Sequence, residues 1–178
     1  MLHYTVFRTR WGWFGLASRE DAVCRTFLPG ADRAATEAGL LAPAAGRGQE
    51  ARLERGLLRP LQDRIVGYFE GGNVDFSTDP AVFLAWITPF ARKVLGACRK
   101  VPQGRTTTYR ALAEQIGRPR AARAVGRVMA ANPIPLIVPC HRVLRSDGGL
   151  GGFSGPGGTA AKLRLLEHEK GAVCAGAS

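Results

Sequence analysis

Pro133, Pro135 and Pro139 punctuate the run Asn132-Pro133-Ile134-Pro135-Leu136-Ile137-Val138-Pro139-Cys140-His141-Arg142-Val143, and no other stretch restricts the folding of this chain so tightly. Each proline fixes its own φ, removes a backbone N–H and pushes the preceding residue out of the helical region. A helix is therefore excluded. The apolar residues between the prolines predict an extended, buried segment that is stiff where Cys140 emerges. A lone cysteine in such a place is commonly a small hydrophobe in a core. Here His141 and Arg142 follow at once, and their charges would favour the thiolate, the reactive form of cysteine; burying them without a use would be unfavourable. In an extended segment Cys140 and His141 point to opposite faces. A proton would then pass between them through a bridging water, with a carboxylate orienting the imidazole.

A chain of 178 residues suits one ordinary domain or two small ones sharing a core. It contains no apolar run of about 18 residues and no export signal at its N-terminus, so a cytoplasmic protein with no membrane partner is expected. Cys24, Cys98, Cys140 and Cys174 show no CxxC spacing, which argues against a disulfide framework. His3 and Cys24 are too few for a four-ligand zinc site, so no metal is expected. The 25 basic residues outnumber the 14 acidic ones, giving a net charge of +11. That excess points to a polyanion, and nucleic acid fits better than a membrane surface because no lysine-rich amphipathic helix with bulky anchors is present. Only Lys93, Lys100, Lys162 and Lys170 are lysines, so a general preference for arginine accounts for part of it.

Residues 2–7, 13–17 and 22–27 read as short strands of one small sheet. Residues 31–48, rich in Ala and Gly, read as part helix and part loop. Leu57, Leu58, Leu61, Ile65, Val66 and Phe69 have helical spacing, stopped by Gly71-Gly72. Thr88 and Pro89 form a helix start, with Phe90, Val94 and Cys98 on one face; Cys98 thus reads as core. Tyr109, Leu112, Ala113 and Ile116 mark a short helix closed by Gly117. The next helix is predicted to open at Pro119 and run to about Ala131. Its inner face is Ala121, Val125, Val128 and Met129; Arg120, Arg123 and Arg127 cluster opposite, with Ala124, Ala130 and Ala131 between them. Two short helices about a glycine turn suggest a helix-turn-helix, and a face of small residues with projecting guanidiniums suits close approach to a nucleic-acid groove. A solvated basic face would look similar. Residues 151–158 form a glycine-rich loop without a P-loop lysine, read as a pocket wall whose backbone amides reach a ligand. Thr159 is the expected cap of a last helix.

Ile134-Pro135-Leu136-Ile137-Val138-Pro139-Cys140-His141-Arg142-Val143 resembles the active-site signature of the methylated-DNA–protein-cysteine methyltransferases, which repair O6-alkylguanine in DNA. The resemblance runs from about Thr88 to Lys170. It implies an α+β protein: a ribonuclease-H-like N-terminal scaffold of small sheet plus helix (1–85), then a mostly helical DNA-binding and alkyl-acceptor domain with a helix-turn-helix and the active-site strand (86–172), and a tail (173–178). It makes Cys140 the nucleophile and alkyl acceptor, and Glu169, rather than the neighbouring Glu167, the carboxylate orienting His141. Tyr109 would push a phosphate and protonate the leaving base, and Asn132 would be the hinge between recognition helix and active-site strand. Arg123-Ala124-Val125-Gly126 matches the arginine-finger motif, with Arg123 filling the gap left by the flipped nucleotide and Arg120 and Arg127 also on DNA. Val143, Phe153, Ser154 and Gly155 would line the guanine pocket. Relatives often have tyrosine where Phe153 stands, so stacking is kept there without a hydroxyl.

The expectation is therefore a single-turnover repair protein, consumed by moving the alkyl group of O6-alkylguanine, and of O4-alkylthymine, onto Cys140. It would act as a monomer on double-stranded DNA without a cofactor. The rival is a non-catalytic alkyltransferase-like lesion binder, which lacks the acceptor cysteine; Cys140 argues against it.

Overall fold

The computed structural model describes residues 1–78 and 80–175, with side chains described as far as residue 172. Cys174 and the last residues of the expected tail lie outside the described side chains. The first three strands are β1 (Leu2–Thr9), β2 (Gly12–Arg19) and β3 (Ala22–Gly30), joined as antiparallel hairpins. All three expected strands are present, and each is longer than its apolar pattern. Glu20 and Asp21 between β2 and β3 have φ of 50° and 59°, the left-handed pair that a two-residue hairpin matching strand twist demands. β4 (Ala51–Leu53) joins β1 in parallel, giving the order β3-β2-β1-β4. All its residues are exposed, so no hydrophobic alternation announces it.

Helix α1 (Arg33–Ala45) starts where Asp32 accepts a hydrogen bond from the Ala35 N–H, and buries Thr36, Leu40 and Ala44 against the sheet. Gly39 lets it come close: a Cβ there would stand 2.4 Å from the Phe27 ring. Helix α2 (Arg59–Phe69) buries Leu61, Ile65 and Phe69 as its spacing predicts, and Tyr68 beside them, while Leu57 and Leu58 stand ahead of it. The segment that follows is pinned on both sides. Val23 donates its N–H to the Ala81 carbonyl and accepts from the Phe83 N–H, while Arg99 donates to the carbonyls of Phe76 and Pro80.

Helix α3 (Pro89–Arg99) is capped by Thr88 and buries Val94 and Cys98 as expected. Strand β5 (Thr107–Thr108) leads into α4 (Tyr109–Gln115), with Thr108 as cap and Gly117 (φ +73°) turning the chain. The following helix, α5 (Ala122–Ala130), begins later than predicted. Pro119 occupies the second position of a turn closed by Ala121 N–H donating to the Arg118 carbonyl, a position its fixed φ suits. Arg120 therefore stands in that turn and not on the helix. The last helix, α6 (Gly158–Ala175), already includes Thr159 in its first turn, so Thr159 is not its cap. The Gly157 carbonyl accepts from the Ala161 N–H at that end. Among the described residues no helix is long and apolar enough to cross a membrane.

The two halves of the chain share one core, in which Phe14, Leu16, Val23, Ile65 and Tyr68 pack in a cluster with Leu112, Val125, Ile137, Cys140 and Leu165. Strand β6 (Val143–Leu144) pairs in parallel with β5, tying the chain after Cys140 to the start of α4. On the other side, Thr26 of β3 donates its N–H to the Pro133 carbonyl (3.0 Å) and its hydroxyl to the Pro135 carbonyl (2.6 Å). The proline run is thereby tied to β3 of the N-terminal sheet. Thr26→Val keeps the shape and removes the hydroxyl bond, so it is expected to lower unfolding free energy by about 1–2 kcal/mol in a urea titration.

Candidate active site

The segment carrying Cys140 is not extended through to the sulfur. Asn132 staples a loop: its side-chain amide donates to the Val138 carbonyl at 2.9 Å and its oxygen accepts from the Ile134 N–H at 3.1 Å. Leu136 is driven to a φ of +78° inside that loop. A single 3-10 turn, Cys140–Arg142, follows, closed by Arg142 N–H donating to the Pro139 carbonyl at 2.9 Å. Proline is tolerated at the head of such a turn because no N–H is needed there. The strand-like alternation expected for Cys140 and His141 therefore does not hold. Side chains about 120° apart around a tight turn separate the two by another route, and His141 and Arg142 both reach Glu169.

Glu169 is 1% exposed, and donors from separate parts of the chain converge on it. His141 Nε2 approaches Oε1 at 2.7 Å. Arg142 grips both oxygens, Nε to Oε2 at 2.9 Å and Nη2 to Oε1 at 2.8 Å. The Tyr68 hydroxyl donates to Oε1 at 2.8 Å and the Gly104 N–H to Oε2 at 3.2 Å. Burial by itself would raise this carboxyl's pKa; the bonds from His141 and Arg142 overcome it and hold the group well below the usual carboxylate range. An ionised carboxylate only accepts, so Nε2 carries the His141 proton and Nδ1 keeps its lone pair. Burial lowers the His141 pKa against the opposing pull of Glu169, leaving the ring neutral. Glu167, the other carboxylate of this stretch, is exposed.

The protonation of Cys140 is opposite to the sequence expectation. Burial raises its pKa, so at rest it is a thiol. The groups that favour its thiolate are the Asn132 side chain, the Lys162 ammonium and the backbone N–H groups of Cys140 and His141. Arg142 is spent on Glu169 and the Val101 carbonyl. Lys162, which matches the lysine of the family's Lys-x-x-Leu-Leu pattern in the last helix, is fully buried, donating to the carbonyls of Val143 (2.6 Å) and Leu150. It also lies 5.8 Å from the centre of the Tyr109 ring. Tyr109 itself rests against Gly151, where a Cβ would meet its hydroxyl at 2.8 Å; burial raises its pKa and keeps it protonated.

Cys140 lines a cavity of about 400 Å³ together with Asn132, Pro135, Phe153, Ser154 and Gly155. Gly155 leaves room for the Phe153 ring, which a Cβ there would meet at 2.6 Å. The Ser154 hydroxyl donates to the Ala130 carbonyl at the end of α5 at 2.7 Å. Of the other expected site residues, Val143 is buried with its carbonyl on Lys162 and is not among the residues that line the cavity. On α5, Arg123 and Arg127 are exposed, and Ala124 and Gly126 are half-buried; Gly126 packs against the Tyr109 ring. Sequence reasoning gives Tyr68 and Lys162 no role in the site, and it sets Arg142 beside the thiol rather than on Glu169. Among the described residues no group of His, Cys, Asp and Glu could hold a metal ion.

Residues 89–171 match the family model described as 6-O-methylguanine DNA methyltransferase, DNA binding domain. A methylated-DNA–protein-cysteine methyltransferase from Salmonella typhimurium is 44% identical over 109 residues, a match spanning 61% of this chain and only 61% of that relative's length. The protein of that name from Mycobacterium leprae is 40% identical over 117 residues, 66% of this chain and 68% of its own. Mycobacterium tuberculosis OGT, solved in complex with DNA, superposes with a TM-score of 0.77 at 32% identity, covering 96% of this chain and 94% of that one. The likeness takes in the small N-terminal sheet as well as the helical half, and on these grounds the chain belongs to the O6-methylguanine DNA methyltransferase family.

Proposed function

We propose that this chain repairs DNA by moving the alkyl group of O6-alkylguanine irreversibly onto Cys140, acting as a monomer on the duplex. The observation that carries the reading is a buried thiol at the wall of a base-sized cavity, beside a histidine whose free nitrogen is set by Glu169. The alkylated oxygen lies inside the duplex, so the nucleotide must first be flipped out; unstacking costs a few kcal/mol, less for a mispaired base. Arg123 projects from α5, where small Ala124 and Gly126 permit close approach, and it would occupy the vacated place in the stack. Arg127, and Arg120 from the preceding turn, would contact the backbone, and Asn132 would fix α5 to the Cys140 turn.

With the base in the cavity, Phe153 would stack on it, and Ser154, Gly155 and the Val143 segment would read its edges. His141 Nδ1 takes the Cys140 proton through a water. The sulfur then attacks the alkyl carbon in line. The S–C bond forms, the C–O bond breaks, and its electron pair goes to the guanine, which takes a proton from the Tyr109 hydroxyl. Lys162 stabilises first the thiolate and then the tyrosinate, and the proton held by His141 restores Tyr109. The product is a thioether, and no group in the site can reverse it, so each molecule acts once. The same geometry would accept O4-alkylthymine.

Denaturing mass spectrometry after incubation with a duplex carrying O6-methylguanine is the direct test. One added methyl on the Cys140 peptide is expected, and none in Cys140→Ser, which still binds the lesion duplex. Unmodified wild-type protein that binds the lesion would instead support a non-catalytic reader. Arg123→Ala is expected to slow transfer from duplex by on the order of tenfold or more, following the flipping cost, with a smaller loss on the free alkylated base. Equal losses on both substrates remove the flipping role.

The protonation states give a pH dependence. Glu169 and His141 both lie below their ordinary pKa when folded, so under acid the unfolded chain binds protons that the folded chain refuses. Their stabilisation is complete above about pH 6.5; it declines as pH falls through the ordinary histidine value and again below about 4.3, at up to about 1.4 kcal/mol per pH unit for each proton. Urea unfolding at stepped pH should show the first decline in the wild type and its loss in His141→Gln. Identical slopes in the two proteins would show that His141 is not held neutral.

A further inference from the structure

The cavity at Cys140 does not end at the guanine pocket. On its far side it is lined by Arg25 of β3, Arg47 after α1, and Trp86. The same three residues border an adjoining hollow with Arg19, Cys24 and Gln49. Arg25 is half-buried and Arg47 is exposed. Neither has an ion-pair partner among the described residues. The buried Nε of Arg25 and the buried Nε2 of Gln49 donate to nothing there. Cys24 does not supply the missing negative charge, since burial pushes its thiol up to about 11. Burial, together with the charge of Arg47, disfavours the Arg25 guanidinium. A half-buried guanidinium with an unmatched donor, close enough to a second cation to feel its charge, is unfavourable when alone and becomes favourable around an oxyanion.

We infer that Arg25 and Arg47 form an oxyanion subsite opening off the Cys140 cavity, filled by an anionic group delivered with the substrate. It is placed in the N-terminal half, away from the α5 arginines, and rests on the DNA-repair reading above. Two sources share this chemistry: a phosphate of the strand carrying the flipped nucleotide, and a carboxylate on the O6 substituent itself. The first extends the DNA footprint onto the sheet; the second widens the adducts accepted to carboxyalkyl groups.

The test uses the full chain with R25Q/R47Q and with R47Q alone, whose exposed position makes misfolding no obstacle. Binding to lesion duplex is measured across a salt series, and transfer rates are compared for duplexes carrying O6-methylguanine and O6-carboxymethylguanine. If the subsite takes a phosphate, the slope of log affinity against log salt becomes shallower by about 0.9 for each phosphate no longer neutralised, alike for both lesions. If it takes the adduct's carboxylate, the slope is kept and the carboxymethyl rate falls on the order of tenfold relative to methyl, as expected for removing a charge-assisted hydrogen bond. R47Q alone should show part of whichever change occurs. Folded variants with wild-type slope and wild-type lesion ratio overturn the inference while leaving alkyl transfer to Cys140 intact. Wild-type protein that gains no methyl on Cys140 overturns the repair reading instead, and the salt series still reads the subsite.

Discussion

A carboxylate sealed from water at the centre of the molecule decides how the pieces meet. An ion buried alone costs several kcal/mol even after relaxation, so Glu169 is tolerable only with its lone pairs filled. The donors that fill them come from α2 (Tyr68), from the turn before β5 (Gly104) and from the 3-10 turn (His141 and Arg142). The helix that carries Glu169 is thus fixed against both halves of the chain by one group. Two helical turns earlier on the same face, Lys162 is brought beneath the Val143 carbonyl and next to Tyr109. His168, beside Glu169, donates to the Tyr68 carbonyl at 2.6 Å and packs edge-on to Trp11. The N-terminal half is therefore more than a support. Its tyrosine reaches the carboxylate that sets the histidine tautomer.

What the sequence reveals about this site divides along the range of the interactions. Proline geometry and helical periodicity act over a few residues, so the exclusion of an α-helix before Cys140, the Thr88 helix start and the buried face of α5 follow from local rules. Periodicity misplaces Arg120 because Pro119 serves a turn as readily as a helix start, and only the carbonyl of Arg118 decides which. The direction of a side chain has no local signature at all. Arg142 reads as a cation beside a thiol, yet its guanidinium turns to a carboxylate far along the chain. The resemblance to the repair family singles out Glu169 over Glu167, where periodicity leaves both open. Tyr68, separated from Glu169 by 101 residues, looks in sequence like one more apolar helix position. Arg25 and Arg47 disappear into a general arginine excess, because what distinguishes them is their shared cavity wall and the unmatched Nε of Arg25.

The resting state of Cys140 has a physical logic that the pattern Cys-His-Arg conceals. A low-pKa thiolate is open to oxidation and to stray electrophiles, and in the proposed reaction each molecule can be used once. Burial keeps the sulfur protonated, while Asn132, Lys162 and two backbone N–H groups stand ready to favour the anion. Arg142 is held instead by Glu169 and the Val101 carbonyl. In the proposed sequence of events the arriving base changes the balance: it seals the cavity, brings the electrophilic carbon to the sulfur, and lets the proton leave through His141 only when a reaction can follow. Reactivity is then set by occupancy of the cavity rather than by a permanently ionised sulfur. A general thiol reagent small enough to enter the empty cavity should accordingly meet a sluggish nucleophile, although in the proposed reaction the same sulfur attacks an alkyl group presented by DNA.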